Sequence, residues 1–126
     1  MDLNHVTISS LDVPKSTKFY KMLGLKLIVD ASPRYVRLEC PNGESTFSIS
    51  NVEELPEGHK LTVYFEVDNL SETVSELKKK GITFSTKITE QPWLWTDVHL
   101  NDPDGHELII YNAGENRKNP PWRIKN

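Results

Sequence analysis

The chain carries one cysteine, Cys40, among its 126 residues. A lone thiol excludes an intramolecular disulfide and any CxxC zinc site, and it fits a reducing compartment. Long apolar runs are also missing, and nothing approaches the roughly 20 residues that cross a bilayer. The opening MDLNHVTISS has neither the basic start nor the apolar core of a signal peptide. Cytoplasmic residence without a membrane partner is therefore expected. An excess of either charge is missing: a net charge of −3 offers nothing that would attract nucleic acid. There is no phosphate-cradling loop, because the glycines fall at turns and helix ends. No serine or cysteine nucleophile arrangement is evident, and Cys40 shares a strand face with Val36 and Leu38.

What is present is order. Asp102-Pro103-Asp104-Gly105 is a turn sequence: proline fixes one dihedral, Asp bonds locally to the backbone, and glycine takes the conformation that a Cβ forbids. It separates the run from Trp93 onward from Leu108-Ile109-Ile110-Tyr111, so a hairpin is expected here. Toward the N-terminus, Asn4 to Ser10 alternates as a half-buried strand. Asp12-Val13-Pro14 starts a helix with Ser16, Phe19, Tyr20 and Leu23 on one face, stopped by Gly24. Strands are expected at Leu25 to Val29, Tyr35 to Cys40 and Thr46 to Ser50, the last two joined by a Pro41-Asn42-Gly43 turn. A polar linker follows. The order then restarts with a strand from Thr62 and a helix capped by Asn69, whose apolar face is Leu70, Val74 and Leu77. Lys78, Lys79 and Lys80 lie at its C-terminal end, where the helix dipole favours cations, and Gly81 stops it. A strand at Ile82 to Thr86 and the hairpin complete the second half.

His5 to Gly24 and Thr62 to Gly81 have equal length and the same sequence of elements. The chain thus reads as βαβββ twice: module 1 at about 3–51, a linker at 52–60, module 2 at about 61–112 and an irregular tail at 113–126, within one domain. Neither half has enough core to stand alone. This order resembles the vicinal oxygen chelate superfamily of glyoxalase I, bleomycin-resistance proteins, extradiol dioxygenases and fosfomycin-resistance enzymes. The resemblance is carried by LNHVTISSLDVPKSTKFYKMLGLKL, VYFEVDNLSETVSELKKKGI and DPDGHELIIY. It implies an α+β fold of paired βαβββ modules forming an open eight-stranded mixed barrel. It also implies a homodimer and a small-molecule ligand held on the inner face of the sheets.

Alternation divides each strand the same way. The apolar side is expected to pack on the helices. The other side carries His5, Thr7, Tyr35, Arg37, Ser48, Thr62, Tyr64, Glu66, Trp95, Asp97, His99, Glu107, Ile109 and Tyr111. A merely wetted sheet face is one explanation; the aromatics among the polar groups favour a pocket. The candidate ligand-binding residues are His5, Arg37, Tyr64, Trp93, Trp95, His99, Glu107 and Tyr111. Glu66 and Asp97 are candidate general bases. Arg37 suits a ligand carboxylate or phosphate, or else an acidic strand neighbour. Trp93 and Trp95 flank Leu94 and would point the same way in a strand. His106, after the turn glycine, is expected to be exposed.

The resemblance further implies divalent-metal ligands at His5, Ser48, Thr62 and Ile109, of which only His5 is a ligand type. A displaced site using His5 and Glu107, with His99 and Glu66, remains a second possibility. Two functions follow, with a metal-free enzyme using Glu66 or Asp97 as base a third. One is a metal-free protein that binds a small organic molecule, as bleomycin-resistance proteins do. The other is a metal-dependent lyase or dioxygenase of the glyoxalase I type with His5 as a ligand. Neither the cofactor nor the reaction is fixed by the sequence.

Overall fold

The computed structural model describes residues 1–125. The chain divides into two compact units: Met1–Leu61 with Asp102–His106, and Thr62–Asn101 with Glu107–Asn126. Each contains a four-stranded mixed sheet and one α-helix.

In the first unit the strands are β1 (His5–Ser10), β2 (Lys26–Ala31), β3 (Tyr35–Glu39) and β4 (Thr46–Asn51), in the order β1-β4-β3-β2. β1 and β4 are parallel, and the other pairs are antiparallel. Helix α1 (Val13–Met22) starts where Asp12 accepts the Lys15 N–H at 3.1 Å, with Pro14 in the first turn. Of the expected face Ser16, Phe19, Tyr20 and Leu23 it buries Ser16 and Tyr20, with Val13 and Thr17 beside them, while Phe19 and Leu23 are half-buried. That face meets Ile8, Val36, Leu38, Phe47 and Ile49, all nearly solvent-free, and the Tyr20 and Phe47 ring centroids are 4.6 Å apart. The chain leaves the helix at Gly24, whose φ of +107° a side chain would resist.

The second unit repeats the plan with β5 (Thr62–Glu66), α2 (Leu70–Lys79), β6 (Thr89–Glu90), β7 (Thr96–Asn101) and β8 (Glu107–Asn112). Its sheet order is β5-β8-β7-β6, with β5 and β8 parallel. Asn69 accepts the Glu72 N–H and donates to its carboxylate, and Leu70, Val74 and Leu77 form the buried stripe. No helix among the described residues is long and apolar enough to cross a membrane.

Three expectations need correction. Ile82 to Thr86 is not a strand; the edge strand is the two-residue β6 further on. Ser85 N–H does donate to the His99 carbonyl, but His99 N–H is taken by the Thr86 hydroxyl at 3.0 Å instead of a backbone carbonyl. A side chain has replaced one rung, and the ladder stops there. Trp93 and Trp95 do not share a strand either, because Leu94 between them has φ +69° inside a turn closed by its own N–H on the Gln91 carbonyl.

His106 is the third correction: it is 1 % exposed. Its Nδ1 accepts the Leu61 N–H at 3.1 Å, and so Nε2 donates to the Ser9 carbonyl at 2.9 Å. Around it the turn is clasped. Asp102 accepts from the Tyr20 hydroxyl at 2.6 Å and from the N–H groups of Asp104 and His106. Asp104 accepts from Ser16 and from the Leu11 N–H, both at 2.9 Å. The tail contains one 3-10 turn at Gly114–Arg117.

Candidate functional site

Register shows which positions of the two units correspond. His5 pairs with Thr46 across β1 and β4, as Thr62 pairs with Glu107 across β5 and β8. Stepping along both sheets matches Ser48 with Ile109, Arg37 with His99 and Tyr35 with Asp97. All these side chains have the parity opposite to the helix-packing ones.

On the first sheet this face is a chain of polar contacts. The Arg37 Nε donates to Tyr35 Oη at 3.0 Å, Tyr35 Oη lies 2.5 Å from Ser48 Oγ, and Ser48 Oγ lies 2.8 Å from His5 Nε2. His5 Nδ1 is 2.6 Å from Thr46 Oγ1. A guanidinium only donates, so Tyr35 Oη accepts from it. One polarity then satisfies every atom: Tyr35 donates to Ser48, Ser48 to His5 Nε2, and His5 Nδ1–H to Thr46. Ser48 is fully buried. The Ser48 hydroxyl, which can turn to donate to the oxygen once Tyr35 ionises, is the main influence holding the Tyr35 hydroxyl below its ordinary value; slight desolvation opposes it and Arg37 aids it.

On the second sheet the same face is aromatic and acidic. Trp95 and Tyr111 stack with centroids 4.6 Å apart and planes 17° apart, and Tyr64 stands edge-on to both. Ile109, Tyr111 and Ala113 form a buried cluster with Trp95 against it. Burial, then the Glu66 charge, pushes the Tyr111 hydroxyl up. His99 lies between two carboxylates: Nε2 is 3.5 Å from Asp97 Oδ1, and Nδ1 is 3.5 Å from Glu107 Oε2. Asp97 is 3 % exposed and also accepts from Gln91 Nε2 at 2.9 Å.

Glu66, one of the two candidate bases, has its oxygens occupied by the tail. Its Oε2 accepts the N–H groups of Ala113 and Gly114, and its Oε1 lies 3.7 Å from Arg117 Nε. The Trp95 indole donates to the Asn116 carbonyl at 3.3 Å. Trp93 and Trp122 project from exposed segments. A cavity is lined by tail residues Asn119, Pro120, Pro121, Arg123, Ile124 and Lys125, none of them a candidate from the sequence.

The expected metal positions do not fit a divalent ion. Ile109 has no donor atom, Ser48 and Thr62 offer neutral hydroxyls, and both His5 nitrogens have hydroxyl partners. The two carboxylates beside His99 sit on opposite ring nitrogens, so the three groups do not converge. No group of three or more His, Cys, Asp or Glu among the described residues could hold a metal ion.

The stacked pair with an edge-on third ring is the feature that sequence reasoning only half reaches. Tyr64, Trp95 and Tyr111 are legible as facing one way, but their mutual contact needs the β5–β8 register. The role of Gln91 on Asp97 has no sequence signal.

Residues 2–110 match the family model described as the glyoxalase/bleomycin resistance protein/dioxygenase superfamily. No curated protein matches the sequence. Among solved structures, a glyoxalase/bleomycin resistance protein/dioxygenase from Nocardioides is similar at TM-score 0.77 and 19 % identity, over 99 % of this chain and 90 % of that one. A lactoylglutathione lyase from Agrobacterium tumefaciens aligns at 0.74 and 15 %, over 89 % and 93 %. A bleomycin-binding protein in complex with bleomycin aligns at 0.72 and 20 %, over 89 % and 98 %. At these identities the structural likeness speaks for the fold.

Proposed function

The chain belongs to the glyoxalase/bleomycin resistance protein/dioxygenase superfamily, and from that premise we propose that it binds a flat, positively charged organic molecule on the second unit's helix-free sheet face. The observation that carries this reading is the Trp95–Tyr111 stack with Tyr64 edge-on. Trp95, partly exposed over the buried Tyr111, presents a flat apolar ring, and Tyr64 remains half exposed beside it. Asp97 and Glu107 on the same face supply negative charge for a cationic group on the ligand. A related fold that holds bleomycin supports this ligand class.

In this reading His99 keeps the two carboxylates apart and oriented, while Glu66 fastens the tail beside the rings. The binding step needs no metal, and the poor donor set at the family positions supports that. The family resemblance of a single chain of this size supports a homodimer, which sedimentation equilibrium reads directly.

The test is a tryptophan-fluorescence titration with flat aromatic cations and, separately, with bleomycin, each with and without EDTA. Saturable quenching that chelator leaves unchanged is expected. Trp95→Ala should weaken binding about tenfold or more, since losing an aromatic contact of about 1.4 kcal/mol has that effect. Equal affinity in Trp95→Ala, or binding that EDTA abolishes, rejects the proposal.

A further inference from the structure

Arg37 has no acidic partner among the described residues, although a cross-strand carboxylate is one of the two explanations its sequence position leaves open. Its neighbours across the strands are Val29 and Ser48. Glu39, one pleat along the same face, lies opposite Lys26. No ion pair among the described residues includes Arg37, and its only hydrogen bond there is the one from Nε to Tyr35.

Most exposed arginines are merely solvated, but this one is held. Nε is anchored on Tyr35 Oη, Tyr35 on the fully buried Ser48, and Ser48 on His5. The guanidinium carbon also sits 5.7 Å from the Tyr35 ring centroid. Anchoring Nε leaves the Nη1 and Nη2 edge as the available fork. That edge matches two oxygens of a carboxylate or phosphate. Ordering the side chain beforehand removes part of the entropy cost that weakens binding to a free arginine. The same row of the sheet carries a further hydroxyl, Thr7, which pairs in register with Ser48.

We propose that the first unit's helix-free face is a binding site for a small oxyanion, a carboxylate or a phosphate group, seated on the Arg37 fork and braced by the Tyr35–Ser48–His5 chain. Its ligand is opposite in charge to the one proposed for the second sheet. The two proposals rest on different residues and stand or fall separately.

The experiment titrates the full chain with sodium acetate and, separately, inorganic phosphate, at constant ionic strength, following ¹H–¹⁵N spectra that include the arginine Nε–H signals. Saturable shifts at Arg37 Nε and at the Tyr35, Ser48 and His5 amides are expected with at least one anion. The anion that saturates at lower concentration identifies the source. Arg37→Met should abolish the saturable response, and Tyr35→Phe should weaken it severalfold by releasing Nε. If Arg37→Met fails to fold, Arg37→Lys, which keeps the charge but loses the fork, should bind at least about tenfold more weakly. Shifts that never saturate, that spread over Lys78–Lys80, or that persist in the Arg37 variants overturn the proposal. Aromatic-cation binding in Arg37→Met reports separately on the second sheet.

Discussion

The two units share a plan but differ wherever a side chain leaves the helix-packed side. Position for position, His5, Ser48, Arg37 and Tyr35 in one correspond to Thr62, Ile109, His99 and Asp97 in the other. The first set forms a hydroxyl–imidazole–guanidinium chain; the second forms an acid-flanked imidazole next to an aromatic cluster. The helix-packed sides hardly differ, with Val36, Leu38, Phe47 and Ile49 in one and Val98, Leu100, Leu108 and Ile110 in the other. Burial against a helix constrains residue type, whereas the free face can diverge without loss of fold.

The matching turns differ even more. Pro41-Asn42-Gly43 is exposed, whereas Asp102 and His106 at the other turn are buried and fully bonded. The largest expected effect follows from this. Asp102→Ala removes three hydrogen bonds and leaves the buried Tyr20 hydroxyl unsatisfied, costing about 3 kcal/mol or more. Asn42→Ala should stay within about 0.5 kcal/mol. Urea denaturation of the two variants measures the contrast, and equal losses would erase it.

Next come the corresponding positions Ser48 and Ile109. Ile109→Ala hollows a buried aromatic cluster and should cost about 2–4 kcal/mol. Ser48→Ala strands Tyr35 and His5 Nε2, but water can reach both of these partners, so about 1 kcal/mol is expected. The same denaturation curves rank them, and a reversed order would contradict the assignment of one face as apolar and the other as polar.

The smallest effects are in pH dependence. Burial alone would raise the Asp104 carboxyl, but hydrogen bonds from the Ser10 and Ser16 hydroxyls and the Leu11 N–H hold it below the ordinary range. A depressed carboxyl contributes stability above its unfolded value of about 4 and loses it as pH falls through the folded value. Tyr20 behaves oppositely: burial, then the Asp102 charge and hydrogen bond, push its hydroxyl up. Its contribution is present below about 10 and declines as pH rises beyond. Asp104→Asn should therefore flatten the acid side of a melting-temperature profile and Tyr20→Phe the alkaline side. Both groups belong to the clasped turn, and the exposed turn has neither.

The fold is legible in the sequence because two signals agree: strand parity, and helices of equal length between a cap and a glycine. Parity also collects the candidate residues of each free face. It fails at Trp93 and at Ile82 to Thr86, where a positive φ at Leu94 and a hydroxyl from Thr86 break the ladder. Neither event has a period to detect. His106 departs from expectation because a residue after a turn glycine is usually wet. Its burial depends on Leu61, Ser9 and His59, which come together only in three dimensions. The engagement of Glu66 by the tail is hidden for the same reason, since Ala113 and Gly114 contribute backbone N–H groups and no side-chain signal.

The second sheet as a ligand platform is tested most directly by a ¹H–¹⁵N and aromatic ¹H–¹³C titration of the full chain with a panel made up of flat aromatic cations and bleomycin. Saturable shifts are expected at the Trp95 indole N–H and at the rings of Tyr64 and Tyr111. If no member of the panel binds saturably, or if those that bind leave the three rings unmoved, the second sheet is not the ligand platform.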